Sequence, residues 1–386
     1  MRKQLLDASN LLFPTLKPGL LIASLNSQEF YLGEPTDGLY MPADPYLPIA
    51  RACDGVRSTH AIAQECGLSH EIVLEFIAEL LGHSYVELRT EVREQSGLDL
   101  LKLNYIQRVT PELELYSWRA GVFDGGALEI AERKSFVIVI LGENRLARAL
   151  LANLQASGFS QSRILPRALN PARRTSPRDV CGILLKNLDI GRKHIDINEE
   201  IIKGAALNYG GSQSEMGVDL AISTDFAPLE FIQRWMSEGI AHLQISQPTS
   251  HTLEIGPVVI PNNPITACLN CVRLHRRDHV PTFINLATGF SAHSQMSREL
   301  PTSSASFAAG VITSYICEFA AEGLSSLTGH SLNINLLKPL EEIRHHHWAP
   351  HPECGCLSSN AFAHDFSVQA GTANAALLRD DSALIK

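Results

Sequence analysis

The sequence is short of positive charge. Its 386 residues carry 32 Lys and Arg against 41 Asp and Glu, a net charge of −9 with His neutral. That balance disfavours a general binder of nucleic acid or of anionic membrane, whose phosphates attract basic surfaces. The chain also lacks a basic start followed by an apolar run and a small-residue cleavage site, so no export signal is expected. A reducing cytoplasm follows as the expected location, and there paired cysteines hold metal more often than they form disulfides. No long apolar run is free of charge: residues 305–327 include Glu318, Glu322 and several serines, and read as a buried helix of a soluble domain. No internal repeat or low-complexity tract appears. What is present is a 45% apolar chain too long for one ordinary core, hence two or three domains.

Eight cysteines are distributed unevenly. Cys268-Leu269-Asn270-Cys271 and Cys354-Gly355-Cys356 form two close pairs, while Cys53, Cys66, Cys181 and Cys317 sit singly in apolar context and read as core. Two such pairs can place four thiolates around one Zn²⁺, and a four-sulfur shell leaves no open position for water, so the expected role is structural. The alternatives are unrelated buried thiols, a redox dithiol, or a ligand supplied by His345, His346, His347 or His351 beside the second pair.

The first part of the chain has its own rhythm. Residues 20–25 and 29–32 are strand-like runs around Asn26-Ser27-Gln28, which suits a hairpin, with a third strand at Gly38-Leu39-Tyr40-Met41. Three short helices follow, the second capped by Ser58 and the third by Ser69, with Gly67 between them. Ile72, Phe76 and Leu80, and likewise Val73, Ile77 and Leu81, repeat at four and give the third helix a broad apolar face. Tyr85-Val86-Glu87-Leu88 closes the unit as a strand. This order is that of a winged helix-turn-helix, for which DNA binding is the usual expectation. Yet the third helix offers Glu71, Glu75 and Glu79 and no basic residue, so phosphate attraction is missing. Peptide capture by strand addition is the better use of the shape.

Residues 89–134 are mixed and charged, with room for one or two short elements. Ser135-Phe136-Val137-Ile138-Val139-Ile140-Leu141 is then a continuous apolar, β-branched run, as in a central parallel strand. A Gly142 turn and a helix through Leu154 follow, the first unit of a doubly wound nucleotide-binding sheet. The Gly-x-Gly-x-x-Gly fingerprint survives only at Gly142, with Asn144 and Ala147 at the next two glycine positions and Glu143 adding a negative charge. The strand Arg163-Ile164-Leu165 ends in Pro166 and Arg167, with no carboxylate for a ribose. Residues 180–185 read as a strand or a helix start, residues 218–223 and 239–245 as further strands, and residues 229–237 as a helix.

Two resemblances attach to these residues. Lys17-Pro18-Gly19 through Leu88, with Cys53-Asp54-Gly55-Val56-Arg57-Ser58 and Ala61-Ile62-Ala63, resembles the leader-recognition element of ribosomally made, modified peptides. From residue 135 to 356 the order of features resembles a ThiF-like, ubiquitin-activating-type domain, most distinctively at Cys268-Leu269-Asn270-Cys271-Val272-Arg273-Leu274-His275-Arg276-Arg277-Asp278 and Trp348-Ala349-Pro350-His351-Pro352-Glu353-Cys354-Gly355-Cys356. Together they are similar to the leader-binding ThiF-like partner proteins of thiazole/oxazole-modified microcin pathways. The expected fold is therefore α/β: a winged helix-turn-helix peptide-recognition domain over residues 1–95, a linker over 96–134, a ThiF-type Rossmann-like domain with a zinc clamp over 135–360, and a tail over 361–386.

The resemblance implies a scaffold that takes the leader of a precursor peptide and presents it to a YcaO-type cyclodehydratase. The expected leader contacts are Glu29, Phe30, Tyr31 and Leu32, or the neighbouring strand, together with Ile72, Glu75, Phe76 and Glu79. The expected metal ligands are Cys268, Cys271, Cys354 and Cys356. No residue is expected to be catalytic and ATP is not expected to bind. Asp225 stands where adenylating relatives keep a metal-binding acid, but Phe226 replaces the Asn that follows there. The habit of such relatives to dimerise makes a homodimer a candidate. Two other readings stay open: an adenylating enzyme of the ThiF class acting on a peptide, and a winged-helix regulator with a ligand-binding α/β domain.

Overall fold

The computed structural model describes residues 11–89, 103–119, 125–165, 173–180, 185–205, 217–225, 227–249, 251–263, 266–282, 299–339 and 341–356. They fall into two compact units, residues 1–135 with 156–158, and residues 136–155 with 159–386.

The first unit opens with β1 (Phe13–Leu16), a strand not anticipated from the sequence, and continues with β2 (Leu21–Ser24), β3 (Glu29–Glu34) and β4 (Asp37–Pro42). The expected hairpin forms, because Asn26 Oδ1 accepts the N–H groups of Gln28 at 2.7 Å and Glu29 at 2.8 Å and so closes the turn. Helices α1 (Ala43–Ala52), α2 (Thr59–Cys66) and α3 (His70–Gly82) follow. Ser58 Oγ accepts from Ala61 N at 3.2 Å and Ser69 Oγ from Ile72 N at 3.4 Å, as their cap positions require. Strand β5 (Val86–Arg89) returns antiparallel to β1. The core of the unit is Phe30, Leu32, Ile49, Ile62, Val73, Phe76, Ile77, Leu80 and Val86. The stretch expected to be a linker holds α4 (Leu103–Ser117) and α5 (Ala127–Ser135).

The second unit is built on one seven-stranded sheet. In chain order its elements are β6 (Val137–Leu141), α6 (Arg145–Ala156), β7 (Gln161–Leu165), α7 (His194–Ala205), β8 (Leu220–Ser223), α8 (Leu229–Ser237), β9 (Ala241–Thr249), β10 (Thr252–Val259), α9 (Leu269–His279), α10 (Thr302–Glu322), β11 (His330–Asn335) and β12 (Ile343–His347). The strand order is β12-β11-β10-β9-β8-β6-β7. Strands β6 to β9 pair in parallel and β9 to β12 antiparallel. All five residues of β6 are buried, which is why its sequence is continuously apolar. The chain leaves β6 toward β7 on one side and reaches β8 on the other, so the order reverses at the C-terminal ends of β6 and β8. In open α/β sheets that point is where ligands enter.

Two differences from the sequence reading have simple causes. Helix α10 stops at Gly323 rather than at residue 327, because Gly323 turns left-handed (φ 69°) and its N–H closes on Phe319 O at 2.8 Å. Residues 181–184, read as strand or helix start, lie outside the described residues. Among the described residues α10 is the one helix long and apolar enough to cross a membrane. It lies in the α/β unit, where Phe319 meets Phe136 edge to face.

His242 of β9 is fully buried, its Nδ1 donating to Ile240 O at 3.0 Å. Burial pushes its pKa down to about 4 from 6.5. Since the unfolded chain takes up this proton first, stability should fall as pH drops from 6.5 to about 4, by on the order of 3 kcal/mol for this residue. His242→Gln should flatten that limb in urea unfolding followed against pH, and an unchanged slope would remove His242 as its source.

Candidate metal centre

The turn after β10 leads to Cys268, which takes the N-cap position of α9 with extended backbone. Cys271 follows in the first helical turn, so both thiols lie on one side of a terminus whose free N–H groups favour thiolate. The other pair arrives from β12. Trp348 N donates to Gly329 O at 2.9 Å, and Cys354 N closes a turn on His351 O at 3.0 Å. The sulfurs of Cys268 and Cys271 are 3.7 Å apart, those of Cys268 and Cys354 3.4 Å, and those of Cys271 and Cys356 3.4 Å. All four lie within 4.8 Å of one another. A tetrahedral zinc with bonds of about 2.3 Å spaces its sulfurs about 3.8 Å apart, whereas a disulfide needs about 2.0 Å. The four cysteines are free thiols and fit a metal ion such as zinc.

The surroundings suit that role. Ile232, Val259, Ala267, Leu269, Val272 and Trp348 pack around the sulfurs. Hydrogen bonds from Cys268 and Cys271, joined by one from Asn270 Nδ2 at 3.2 Å, favour the thiolate of Cys354 and hold its pKa well below the usual thiol range. Burial, followed by the contact with Cys271, pushes Cys356 up to about 12. Arg276 anchors α9 to the sheet through the buried carboxylate of Glu254, and its guanidinium lies 5.5 Å from the Trp348 ring centroid. His351 is committed elsewhere: Nε2 donates to Asp278 Oδ2 at 2.8 Å and Nδ1 accepts from Glu353 N at 3.1 Å. His345, His346 and His347 are exposed residues of β12.

The opposite functional expectation concerns the turn after β6. Thr224 N donates to Leu141 O at 3.0 Å and Asn144 Nδ2 donates to Thr224 O at 2.9 Å, joining the two strand ends at the reversal point. A Cβ on Gly142 (φ 149°) would lie 2.0 Å from Thr224 Oγ1, so glycine is needed there for this contact. Asn144 Oδ1 caps α6 by accepting from Ala147 N at 2.9 Å, and Arg145 N donates to Glu299 Oε2 at 2.8 Å. Glu143 pairs with Arg173 at 3.2 Å, and Arg173 also reaches Asp179 at 3.2 Å and Glu299 at 3.8 Å. Burial pushes the Glu299 carboxyl up. Burial also pushes Arg148 down, against the pull of Asp179, Glu299 and Glu143. Glu143, Asp179 and Glu299 thus gather near the start of α6, the part of a doubly wound sheet at which phosphates are received. Glu299, Arg173, Asp179 and His194 were invisible to sequence reasoning, because only folding gathers them. Asp225 lies in the turn after β8, its carbonyl accepting from Ser223 Oγ at 2.6 Å. Among the described residues, the four cysteines are the one group close enough to share a metal.

The residues expected to contact a leader differ in burial and in strand position. Strand β3 is the middle of its sheet and is paired on both sides, so the Glu29–Glu34 backbone has no open edge. Phe30, Leu32 and Phe76 are core residues. Glu29, Glu75 and Glu79 are exposed, and Tyr31 and Ile72 half-buried. The outer strands are β2 and β4. Strand β4 leads into α1, whose Tyr46 stacks on Phe76 of α3 at 5.2 Å, and Tyr85, just after α3, donates its Oη–H to Asp37 O of β4 at 3.1 Å. Tyr40 on β4 is 73% exposed.

Cys268→Ser and Cys354→Ser should each lose bound metal and about 2 kcal/mol or more of stability together. Metal content by mass spectrometry and urea unfolding check this, and full metal retention in both variants would refute a shared site.

No family model and no curated protein sequence matches the chain. Solved structures do share its fold. E. coli MccB with AMPCPP and the MccA peptide superposes with a TM-score of 0.58 at 14% identity, over 89% of this chain and 99% of MccB. The microcin C7 biosynthetic enzyme MccB with N-formylated MccA gives 0.58 at 13%, over 89% and 99%. The heterocyclase TruD gives 0.52 at 13%, over 90% of this chain and 43% of TruD. At such identities the likeness establishes a ThiF/MccB-like α/β fold with a large mixed sheet.

Proposed function

We propose that this protein captures the leader of a ribosomally made precursor peptide and presents the peptide to a YcaO-type cyclodehydratase, with a structural zinc on its four cysteines and no catalysis of its own. The observation that carries the proposal is an MccB-like architecture retained along nearly the whole chain while its nucleotide turn is filled by carboxylates. A protein that keeps the frame and gives up the phosphate seat is left with binding as its task. Two of the solved neighbours support the peptide part, being MccB structures that contain MccA.

The first unit is a winged helix-turn-helix in this reading, and its leader-binding edge is β4. Added there, an extended segment would pair with an outer strand beside Tyr40, with Ile72, Glu75 and Glu79 of α3 as its further expected contacts. A second reading, an adenylating enzyme, draws on the neighbour solved as MccB with ATP. It requires the α6 turn to open.

A labelled leader of a candidate precursor peptide, titrated against the full protein by fluorescence anisotropy, tests the capture. Tyr40→Ala is expected to weaken binding roughly tenfold, about 1.4 kcal/mol, without changing thermal stability. Absence of binding at high micromolar protein would reject leader capture. Release of pyrophosphate from precursor and ATP by this protein alone would establish the adenylating reading instead.

A further inference from the structure

The N-terminus of a helix is a seat for an anion, because its first N–H groups lack partners and the helix dipole points positive charge at the site. In α6 that seat lies at the reversal point of the sheet, and three things crowd it. Arg145 N donates to Glu299 Oε2 at 2.8 Å. The Arg145 guanidinium spans outward, donating to Leu300 O at 3.2 Å, Arg178 O at 2.7 Å and Val180 O at 2.6 Å. Arg148 lies fully buried one turn on, its Nη1 donating to Glu143 O at 2.8 Å while Nε and Nη2 make no hydrogen bond. An arginine buried in that state is costly unless negative charge lies near it. Glu143, Asp179 and Glu299 are its charge partners. Arg173 ties the three acids into one cluster, and buried His194 stands 3.9 Å from Glu143 and 3.8 Å from Asp179.

We infer that Glu299 is a resident anion: its carboxylate occupies the seat that the α6 N-terminus and buried Arg148 would otherwise offer to a phosphate or carboxylate, which makes it the residue that closes this site to nucleotides. Glu143 supports the closure from the same turn, engaging Arg173. The Glu299 contact also joins the segment three residues before α10 to α6, so the internal carboxylate supplies from the chain itself a link that a bound oxyanion could make. Removing that carboxylate leaves the Arg145 N–H and an under-bonded Arg148 around a space of carboxylate size. A small anion should then enter. This inference concerns the α/β unit and stands apart from where a peptide docks.

The test compares the full-length wild type with Glu299→Ala and Glu299→Gln, using sodium acetate and inorganic pyrophosphate against chloride at matched ionic strength. The wild type should show no anion-specific change in melting temperature. Glu299→Ala should melt lower, recover most of the loss in acetate, and bind pyrophosphate at least about tenfold more tightly than the wild type by calorimetry, as expected for charge-assisted contacts regained. The glutamine variant, which keeps the volume and loses the charge, should melt lower and stay closed to both anions; should the alanine variant not fold, Glu299→Ser, which also opens the space, must bind pyrophosphate more tightly than the wild type. Pyrophosphate stabilising the wild type as much as the alanine or serine variant would overturn the inference, as would a folded alanine or serine variant indifferent to both anions. Leader anisotropy on the same proteins reports capture separately, so failure here and failure there are distinguishable.

Discussion

The convergence of four thiols within 4.8 Å is the constraint on which the α/β unit's closing segments depend. Cys268 and Cys271 sit on the first turn of α9, and Cys354 and Cys356 lie 86 and 85 residues away from their sulfur partners. Bringing them together fixes the path of everything between: α10, β11 and β12 must all return to the start of α9. A loop that long costs entropy to close, and a metal ion held only by the folded state would offset that cost. The packing around the sulfurs prepares the same arrangement, with Arg276 held by Glu254 on one side and His351 held by Asp278 on the other. These contacts hold α9 and the turn carrying Cys354 and Cys356 beside the four thiols.

At the other functional end of the sheet the same economy of charge produces the opposite result. Parallel strands and a reversed strand order create a crevice, and a helix begins there with its amides facing in. Here the crevice is bridged by Asn144 and Thr224, and the helix terminus is satisfied by Glu299. Arginines that would suit phosphates are committed to Glu143, Asp179 and Glu299 instead.

The first unit depends on a different balance. Its three-stranded sheet is covered on one face by an apolar cluster that includes Phe30, Leu32 and α3. The outer strands β2 and β4 each have one side unpaired within the sheet, and α3 carries the exposed Glu71, Glu75 and Glu79. Acidic side chains and an open edge are incompatible with a phosphate backbone and compatible with an extended peptide, which is the physical basis of the proposed role.

Sequence alone determined the parts whose signal is local. The Asn26-Ser27-Gln28 hairpin, the Ser58 and Ser69 caps, the buried run of β6 and the helix Leu229–Ser237 follow from turn chemistry and periodicity over a few residues. Cysteine spacing marked the four sulfurs for the same reason, because a close pair is legible without knowing the fold. Strand β1, helices α7 and α9, and strand β11 were not read, since their partners lie far along the chain and their own patterns are weak. The central position of β3 was decided only by tertiary pairing: two strands flank it, so the edge expected there belongs to β4 and β2. Glu299 is the clearest case. Nothing in its neighbours marks it, and its meaning comes from a hydrogen bond to a residue 154 positions away, formed only when the sheet brings the two together. Local chemistry is written in short words along the chain, whereas charge compensation inside a fold is a property of the assembled whole.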